Sequence, residues 1–423
     1  MRDVYIIGVG MIKFGKYLEN DVRDLGGIVI KEALRDAGLK PTDIQSVASA
    51  NSFWGYFSNQ HSCRGQIISQ AGGIDRAPVT NLENACMGGS HAMHNAWKDI
   101  LTGLFDCTLA VGAEKLYLPA DKEKQFGAFT SVVDQKLKNE TFAGWDRLYG
   151  HLMEIPEGSQ PKSHSVFMDV YGWMAAWHMT NYGTTQKQFA KIAAKNHNNG
   201  VLNPLAQYQF PMTVEEVMND YVVSYPVTRS MCAPIGDGAA AAILCSAEYL
   251  KKLPIDTQKR AVRIRAQAMV SGIAPISLEN QPMGTAPFSC AARATKLAYE
   301  MAGLGPEDVQ IAEVHDASAV GELLQYENLQ LCPVGEGGPF MDSGATLPTG
   351  KVPVNMSGGL ISRGHPVGAS GLAMLYELIL QLRGEAEKRQ IADVRIGIIE
   401  NGGGLIGFDD GGVIITILEG KKR

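Results

Sequence analysis

The stretch that decides the fold occurs twice in the chain. Residues 33–51 read ALRDAGLKPTDIQSVASAN, and residues 298–318 read AYEMAGLGPEDVQIAEVHDAS. Both copies contain a helical segment, then the motif Ala-Gly-Leu-x-Pro-x-Asp-(Ile/Val)-Gln, then a strand-like run. The glycine suits the end of a helix, and the proline stops the helix sharply. The sequence therefore predicts that one structural unit has been duplicated.

Two further correspondences follow in the same order. GGSHAM at 88–93 and GASGLAM at 368–374 each begin a long helix that leads to a strand. DGAA at 237–240 and DGGV at 410–413 each open the strand that closes a half. Chance rarely produces three matches in one order, so we predict two related halves.

Each half alternates short β-branched strands with helices, which predicts an α/β fold of βαβ units in a mixed sheet with helices on both faces. We expect an N-terminal half at 1–255 and a C-terminal half at 256–423. A helix is predicted at 21–38 with Asp21 as its N-cap. Residues 117–225 form an excursion rich in aromatic residues and methionines, which is more typical of a core or subunit interface, although inserted loops also cover active sites. The predicted strands are 4–10, 45–49, 107–112, 240–245, 262–269, 310–314, 394–399 and 413–418.

Cys86 stands just ahead of an amphipathic run at 91–104, and His365 stands just ahead of the matching helix of the C-terminal half. A cysteine at a helix N-terminus meets unpaired N–H groups and the positive end of the helix dipole, which favour the nucleophilic thiolate. A lone cysteine is more often a small buried hydrophobe, but the motifs His315-Asp316 and Gly364-His365-Pro366 shift that balance. If a pseudo-twofold axis relates the halves, Cys86 and His365 converge on one site.

Composition excludes several classes of protein. The chain has 423 residues, 45% hydrophobic and 19% charged, which is typical of a globular protein. Its net charge of −6 gives no support to binding of nucleic acid or of an acidic membrane surface. Seven scattered cysteines without C-x-x-C predict no metal site and fit the reducing cytoplasm. No apolar run reaches membrane-spanning length, and Gly402-x-Gly404-x-x-Gly407 lies too late in the chain for a dinucleotide-binding unit.

Six motifs together resemble the thiolase family over nearly the full length. They are NACMGG at 84–89, KNHNNG at 195–200, PIGDGAA at 234–240, VHDA at 314–317, GHPVGASG at 364–371 and GGG at 402–404. The His-Asp pair, where common thiolases carry Asn-Glu, resembles the branch of sterol-carrier-protein-x and archaeal-type thiolases. The resemblance implies a duplicated five-layer αβαβα fold with two mixed sheets. It also implies an acyltransferase that binds CoA thioesters and cleaves or forms a β-ketoacyl bond.

The resemblance implies roles for the site residues. Cys86 attacks the ketone carbon of a 3-oxoacyl-CoA, and His365 accepts the cysteine proton. His315 and His365 surround one thioester oxygen, and the backbone N–H groups of Cys86 and Gly403 surround the other. CoA is the co-substrate that removes the acyl group, and no permanently bound cofactor is implied. His197 lies in a family-like motif, where it orders a loop or borders the substrate pocket.

The segment before the C-terminal glycines departs from the family pattern. Ordinary thiolases carry there a second cysteine that exchanges a proton with the α-carbon, whereas this chain has Glu400 and Asn401. The sterol-carrier-x type instead has a cysteine after His-Asp, where this chain has Ala317. Glu400 is the nearest acid–base candidate and His315 the runner-up, with a structural carboxylate as an equal alternative for Glu400. Asn401 is a candidate oxyanion or substrate contact.

Thiolytic cleavage of a 3-oxoacyl-CoA is the leading functional hypothesis. A condensing ketoacyl synthase of the same superfamily is the runner-up, but synthases with a Cys-His-Asn triad carry asparagine in the loop where this chain has His365. A non-catalytic acyl-CoA or lipid-binding subunit is a third possibility, against which the retained Cys86, His315 and His365 argue. The aromatic excursion favours a bulky or aryl substrate such as benzoylsuccinyl-CoA, an intermediate of anaerobic toluene degradation.

The resemblance also implies two protein partners. Members of the family form dimers through an edge strand of the N-terminal half. Members of this branch that lack the second cysteine resemble those that work with a small OB-fold, zinc-ribbon protein, so we expect such a partner here. We expect neither a nucleic-acid partner nor a membrane partner.

Overall fold

The computed structural model describes residues 2–153, 155, 166–273 and 289–421. Within these residues, nine strands form one mixed sheet in the order β3-β2-β4-β7-β1-β8-β11-β10-β9, and β5 pairs with β6. The strands are β1 (Val4–Met11), β2 (Ser46–Ala50), β3 (Val79–Leu82), β4 (Cys107–Glu114), β5 (Val222–Ser224), β6 (Val227–Thr228), β7 (Gly238–Ser246), β8 (Val262–Ser271), β9 (Ile311–Glu313), β10 (Ile396–Ile406) and β11 (Asp409–Glu419).

The helices fill the connections between these strands. They are α1 (Val22–Ala37), α2 (Trp54–Ser58), α3 (Arg64–Ala71), α4 (Gly88–Leu101), α5 (Lys122–Phe129), α6 (Lys138–Tyr149), α7 (Val166–Tyr182), α8 (Gln186–Val201), α9 (Val214–Asn219), α10 (Ala247–Leu250), α11 (Ile255–Arg260), α12 (Cys290–Ala302), α13 (Ala319–Asn328), α14 (Gly337–Asp342), α15 (Gly359–Arg363) and α16 (Ser370–Arg383). None of the described helices combines the length and the apolar character needed to cross a membrane.

The strand order is symmetric about its centre, as a duplication requires. Counted outward from the middle, β1-β7-β4-β2 of the N-terminal half matches β8-β11-β10-β9 of the C-terminal half. The two half-sheets join edge to edge through only two antiparallel pairs, Tyr5 with Arg263 and Ile6 with Val262. The predicted α/β class and its duplicated frame are therefore confirmed, with the two sheets continuing into each other. The boundary between residues 255 and 256 stays a prediction.

Three helical layers enclose the two half-sheets. The outer layer of the N-terminal half contains α1 and α3, which pack on its sheet through an apolar core. In the middle layer, α4 and α16 bury apolar side chains against strands of both halves. On the other outer face, α8, α12 and α13 pack on the C-terminal half-sheet. The hydrophobic core therefore lies in three slabs, and the central slab holds the halves together.

The repeated motif forms the local structure that its sequence predicts. Asp21 caps α1 and accepts a hydrogen bond from the backbone N–H of Asp24 at 3.0 Å. Gly38 and Gly303 end α1 and α12 with φ of 70° and 63°, a left-handed conformation that favours glycine. Both copies then continue through a short 3₁₀ turn into β2 and β9. The helix predicted at 21–38 is confirmed.

The predicted strands are all present, but the last two are longer than expected. β10 and β11 extend through Gly402–Gly404 and Asp410–Gly412, which pair across a hairpin. A glycine run has low strand propensity, so sequence alone places it in a loop. Cross-strand pairing overrides that preference and places the glycines in a sheet. No sequence pattern indicates β3, a short strand at the edge.

The N-termini of α4 and α16 touch through their backbones. A methyl group on Gly89 would lie 3.0 Å from the carbonyl oxygen of Gly368, and one on Gly371 would lie 2.5 Å from the backbone nitrogen of Ser90. A short 3₁₀ turn precedes each helix, at 85–87 and at 367–369. This glycine contact brings together the residues that come before the two helices.

The aromatic excursion mainly packs against itself and against the β10–β11 hairpin. Trp145 is fully buried, stacks on Trp173 with ring centroids 6.1 Å apart, and donates a hydrogen bond to the Gly407 carbonyl at 2.9 Å. Phe408 at the hairpin tip is fully buried in the same cluster. The expectation of a core role therefore holds for these residues. Residues 154 and 156–165 of the excursion lie outside the described part of the chain.

Candidate active site

The structure brings together Cys86, His315 and His365, although they come from distant parts of the sequence. The Cys86 sulfur and one ring nitrogen of each histidine all lie within 4.8 Å of one another. The two imidazole rings are perpendicular, with centroids 5.1 Å apart. A thiol and two imidazoles are also the donor types of a zinc site, so among the described residues these three form the group that could hold a metal ion. The expectation that no metal is bound stays a prediction.

Cys86 lies in the 3₁₀ turn ahead of α4, after Ala85 in a left-handed conformation with φ of 46°. A methyl group on Gly403 would lie 2.7 Å from the Cys86 nitrogen, so only glycine lets β10 approach this turn. Burial, with Asp410 and Glu83 nearby, raises the pKa of the Cys86 thiol to about 12. The sequence predicts that the helix dipole favours the thiolate. Desolvation outweighs that effect, so the resting residue is a thiol that needs a base.

His365 has the hydrogen bonds of a neutral base. Its Nδ1 lies 2.7 Å from Ser370 Oγ, and Ser370 Oγ donates to the Pro366 carbonyl at 3.0 Å. Since that hydroxyl has used its proton, Nδ1 carries the ring proton and Nε2 is left as an acceptor. Burial, together with His315 and Arg363, lowers the pKa of His365 well below its usual value. The ring is therefore neutral and able to accept a proton.

Asn401 fixes His315 in the opposite tautomer. The Asn401 side-chain nitrogen lies 3.0 Å from His315 Nδ1 and 3.3 Å from the Cys86 carbonyl oxygen, while its oxygen accepts from Ser90 Oγ at 2.8 Å. Nδ1 of His315 is thus an acceptor, and Nε2 carries a proton that can be donated. Burial, together with Arg363, lowers the pKa of His315 to about 4. These contacts orient His315, and the role of Asn401 as an oxyanion or substrate contact stays a prediction.

Glu400 combines the two roles that the sequence left open. Its Oε2 accepts from the backbone N–H of His315 at 3.0 Å, as a structural carboxylate would. Its Oε1 has no hydrogen-bond partner among the described residues, although the side chain is fully buried. Burial, Asp410 and Asp316 raise the pKa of Glu400 well above its usual value. Glu400 therefore has one anchored oxygen and one oxygen without a partner, and burial favours its protonated form.

Two cavities border this cluster. The outer cleft, of about 530 Å³, lies between the 52–64 segment, Asn84-Ala85 and Gly403–Ile406. The inner cavity, of about 90 Å³, is lined by His315 and Glu400 together with twelve other residues: Phe167, Val170, Tyr171, Met174, Gly321, Leu324, Gln325, Gly402, Gly404, Leu405, Asp409 and Asp410. The aromatic excursion thus contributes only a few side chains to the cavity, all from α7.

His197 lies away from these cavities and borders neither of them. Its Nε2 lies 3.1 Å from the Ser230 carbonyl oxygen, and its ring stacks on Phe210 with centroids 5.5 Å apart. The structure therefore does not bring His197 to the candidate site, and its contacts are those of a residue that orders a loop. The neighbouring Asn196 has the more direct link, because its amide donates to Asp316 Oδ2 at 2.7 Å.

Asp316 holds the segment that carries His365. Its Oδ1 accepts from the backbone N–H of Leu360 at 2.6 Å, at the start of α15, which leads into the His365 turn. A methyl group on Gly359 would lie 2.1 Å from Asp316 Oδ2, so this contact also requires glycine. The sequence identified Asp316 only as the neighbour of His315. Its partners are too distant in sequence for a local pattern to reveal them.

Three ionisable residues of the inner cavity, Tyr171, Asp409 and Asp410, are not among the site residues that the sequence predicts. Burial and nearby acids raise the pKa of Tyr171 well above its usual value, so its phenol is neutral. Burial and Asp409 raise the pKa of Asp410 to about 7. The sequence contained one signal for Asp410, which is the second copy of the repeated Asp-Gly motif.

Family models match both halves of the chain. The model described as Thiolase, N-terminal domain matches residues 4–225, and the one described as Thiolase C-terminal domain-like matches residues 272–415. Among curated proteins, the chain is 36% identical over 398 residues to sterol carrier protein 2 of Oryctolagus cuniculus, covering 94% of this chain and 69% of that protein. It is 35% identical over 404 residues to acetyl-CoA acetyltransferase of Methanothermobacter thermautotrophicus, covering 96% and 97%.

A third relative and two solved structures extend the likeness. The chain is 33% identical over 394 residues to benzoylsuccinyl-CoA thiolase subunit BbsB of Thauera aromatica, covering 93% and 92%. Human mitochondrial 3-ketoacyl-CoA thiolase in complex with CoA superposes with a TM-score of 0.70 at 18% identity, covering 99% and 98%. The Ltp2-ChsH2(DUF35) aldolase superposes with a TM-score of 0.75 at 21% identity, covering 99% and 98%. At these identities the two structures support the fold alone.

Proposed function

The chain belongs to the thiolase family, a family of acyltransferases, and from that premise we propose that it cleaves a 3-oxoacyl-CoA by thiolysis through an acyl-Cys86 intermediate. The observation that carries the proposal is the cluster of Cys86, His315 and His365 donor atoms within 4.8 Å. CoA enters as the second substrate, and the reaction needs no permanently bound cofactor.

The first step joins the acyl group to Cys86. His365 Nε2 accepts the thiol proton while the sulfur attacks the ketone carbon, so the S–H bond breaks as the S–C bond forms. Both partners are neutral at rest, because burial raises the pKa of the thiol and lowers that of the imidazole. Because the proton moves to His365 while the sulfur attacks the ketone carbon, no free buried thiolate forms. Desolvation would make such a thiolate costly.

Two sets of donors stabilise the oxygens that gain charge. His315 Nε2–H serves one thioester oxygen, and Asn401 holds the ring in that tautomer. The backbone N–H groups of Cys86 and Gly403 serve the other, which the close approach of these two backbones supports. Donors of this kind are each worth about 3 to 4 kcal/mol of transition-state stabilisation.

Glu400 donates a proton to the α-carbon, the role that the second cysteine has in ordinary thiolases. Cleavage of the C2–C3 bond leaves an acyl-CoA enolate, which needs a proton at C2. Glu400 holds a proton and has a free oxygen in the inner cavity, two properties that a general acid requires. The proton that His365 took from Cys86 then restores Glu400. The neutral His365 accepts the CoA thiol proton as the CoA sulfur attacks acyl-Cys86, and gives it to the Cys86 sulfur as that sulfur leaves.

The substrate that we favour is a bulky or aryl 3-oxoacyl-CoA. The relative named benzoylsuccinyl-CoA thiolase subunit BbsB supports this choice and a role in aromatic degradation. Phe167, Tyr171 and Met174 of α7 line the inner cavity and offer apolar surface to such a group.

We further propose a dimer, a small OB-fold zinc-ribbon partner and a cytoplasmic location. The edge strand β3 pairs on one side only, and its two central residues are exposed, which supports a dimer contact there. The partner is supported by the word subunit in the name of BbsB and by the ChsH2(DUF35) component in the name of the Ltp2-ChsH2(DUF35) aldolase. The division at residue 255 belongs to the same set of proposals.

The test compares thiolysis with simple acyl exchange. Glu400→Gln should lose cleavage of a 3-oxoacyl-CoA by at least about 100-fold, because the neutral amide cannot donate the proton. Exchange of labelled CoA into an acyl-CoA should remain, since it uses Cys86 without a step at the α-carbon. Assays use acetoacetyl-, long-chain and aryl 3-oxoacyl-CoA, with and without the candidate partner. Retained cleavage would remove Glu400 from this role, and no cleavage of any substrate by the wild-type protein would contradict thiolysis.

A further inference from the structure

Asp410 and Glu400 face one small space in the inner cavity. A methyl group on Gly402 would lie 3.1 Å from Asp410 Oδ1 and 3.4 Å from Glu400 Oε1. Gly402 therefore leaves open the place between the two carboxyl groups. The same cavity includes His315, so this space connects with the donor that serves the thioester oxygen.

The Glu400 oxygen without a partner indicates that a proton or a bound molecule meets it in the space at Gly402. Oε1 is buried and has no hydrogen-bond partner among the described residues, while Oε2 is held by the His315 N–H. A buried oxygen without a partner is costly unless a proton or a bound molecule meets it. The Asp410 carboxyl group, on the other side of the space at Gly402, could supply that proton.

The side chains of Asp410 and its neighbour Asp409 have different surroundings. Asp409 Oδ1 accepts from the Cys290 N–H at 2.9 Å, and Asp409 Oδ2 lies 3.3 Å from the Arg293 guanidinium. Asp409 is thus bound as a structural carboxylate at the start of α12. Asp410 turns instead towards Gly402 and lines the inner cavity.

Two buried carboxyl groups with oxygens 3.1 and 3.4 Å from the same point do not ionise independently. Burial and the neighbouring acid raise the pKa of Glu400 well above its usual value and that of Asp410 to about 7. The pair therefore holds at least one proton at neutral pH. The ionisable groups that face Asp410 are Asp409 on its own strand, Glu400 on β10, His315, Tyr171 on α7, Cys86, and Cys290 and Arg293 on α12.

We propose that Asp410 is a proton-relay residue that shares a proton with Glu400 across the space above Gly402 and restores the proton that Glu400 gives to the enolate. The inference rests on the thiolysis proposed above. Glu400 O–H breaks as the C2–H bond forms, and the enolate electron pair becomes that bond. Asp410 then passes its proton to Glu400. The proton that His365 took from Cys86 restores Asp410. The neutral His365 then accepts the CoA thiol proton as the CoA sulfur bonds to the acyl carbon, and gives it to the departing Cys86 sulfur, so the CoA step does not use the pair.

The relay predicts a selective loss in Asp410→Asn. Exchange of acetyl-CoA α-hydrogens with D2O, together with thiolysis, should fall at least tenfold, because the amide cannot pass on a proton. Exchange of labelled CoA into acetyl-CoA should stay within twofold of wild type. Asp410→Glu should recover part of the α-hydrogen exchange, which a merely structural role would not require.

The pH profile provides the second readout. Wild-type thiolysis should fall as pH rises through about 7, since the pair then loses the proton that it must supply. In Asp410→Asn the fall near pH 7 should disappear, because the carboxyl group that loses its proton there is gone. Equal losses in both exchange assays, or an unchanged α-hydrogen exchange, would overturn the relay.

A second variant keeps the proposal testable if Asp410→Asn does not fold. Gly402→Ala places a methyl group between the carboxyl groups, and Gly402 is not in the left-handed region that requires glycine. It should lower α-hydrogen exchange at least tenfold and leave CoA exchange in place. Retained α-hydrogen exchange would contradict the relay. Loss of CoA exchange in Cys86→Ala is the separate check on thiolysis, so failure of the relay and failure of thiolysis are distinguishable.

Discussion

The two halves use the same repeated Asp-Gly motif for different purposes. In the N-terminal half, Asp237 is fully buried and accepts backbone N–H groups from Tyr17 at 2.9 Å and from Leu116 and Tyr117 at 2.8 Å. In the C-terminal half, Asp410 turns into the inner cavity beside Glu400. One copy is a structural carboxylate, and the other remains available for chemistry. The same motif therefore stabilises the fold in the N-terminal half and lines a cavity in the C-terminal half.

The difference continues at the strands beside these residues. β4 ends in Glu114, whose Oε2 accepts the backbone N–H groups of Ser52 at 2.9 Å and of Gly368 at 3.1 Å. The carboxylate of the N-terminal half therefore ties down the turn of the C-terminal half that follows His365. β10 continues instead into glycines that leave space around Cys86. In the proposed mechanism, the N-terminal half supplies the sulfur and the backbone N–H of Cys86, and the C-terminal half supplies the acid, the base and the other donors.

Removing the nucleophile tests the N-terminal contribution and should have the largest effect. Cys86→Ala should lower both thiolysis and CoA exchange by at least about 1000-fold, because both steps pass through the sulfur. The midpoint of urea unfolding should stay near that of wild type, since the side chain is small. Cys63→Ala, at an exposed cysteine, is the matched control and should keep full activity. Substantial CoA exchange in Cys86→Ala would rule out the acyl-Cys86 intermediate.

His315→Ala converts the C-terminal copy of the repeat to the residue of the N-terminal copy. In the aligned repeats, His315 corresponds to Ala50. Loss of the Nε2–H donor should lower kcat about 100- to 1000-fold. CoA exchange should fall together with thiolysis, because both steps form a charged oxygen. A loss confined to α-hydrogen exchange would instead make His315 the α-carbon acid, its alternative role.

Gly112→Ala tests the backbone contact that joins the halves. The added methyl group would meet the Gly368 carbonyl oxygen at 2.0 Å, so the turn before α16 must move. We expect a loss of roughly 2 to 4 kcal/mol in the free energy of unfolding, typical of severe overpacking. Gly15→Ala, where the methyl group meets no atom within 4 Å, is the control. Equal stability of both variants in urea unfolding would show that the contact is not tight.

Paired substitution of the two aspartates sharpens the comparison of their roles. Asp237→Asn should lower the free energy of unfolding by about 1 to 3 kcal/mol, because the amide cannot accept all three backbone N–H groups. Asp410→Asn should change it by less than about 0.5 kcal/mol while changing the chemistry. Chemical denaturation of both proteins at pH 7 gives the measurement. The reverse ranking of stabilities would contradict the division of roles.

A pH-dependent effect concerns a property that both halves share. Burial raises the pKa of Glu114 and of Glu313 to about 7, above the ordinary value of 4.5 that applies to the unfolded chain. The unfolded state therefore loses these protons first, and their contribution to stability is present below pH 4.5 and lost as pH rises through 7. The urea midpoint of the wild-type protein relative to that of Glu114→Gln should therefore fall between pH 5 and pH 8, because other titrating groups cancel in this comparison. A relative midpoint that rises over this range would contradict the raised pKa of Glu114.

The sequence predicted the parts of the fold that local chemistry decides. The caps at Asp21, Gly38 and Gly303, the strand positions and the duplicated frame all follow from short patterns, and the structure confirms them. Cys86, His315 and His365 were identified from motifs, and symmetry predicted that Cys86 and His365 would meet. The repeat therefore allowed local patterns to predict one contact between distant parts of the chain.

The rest of the candidate site depends on contacts that no local pattern records. Asn401 orients His315 because its amide is already occupied by Ser90 and Cys86, more than 300 positions away in sequence. Asp410 and Tyr171 reach the inner cavity only through packing of the hairpin and α7. The protonation state of Cys86 follows from burial, which outweighs the helix end that the sequence displays.

The bond from Trp145 to Gly407 has a consequence for synthesis of the chain on the ribosome. Donor and acceptor are 262 positions apart in sequence. At roughly 5 to 20 residues per second, the excursion waits roughly 13 to 50 s for Phe408 to be made. During that time the tryptophans lack the partner that later covers them, and exposed aromatic surface invites aggregation. We therefore expect the nascent chain to depend on chaperones until the hairpin tip arrives.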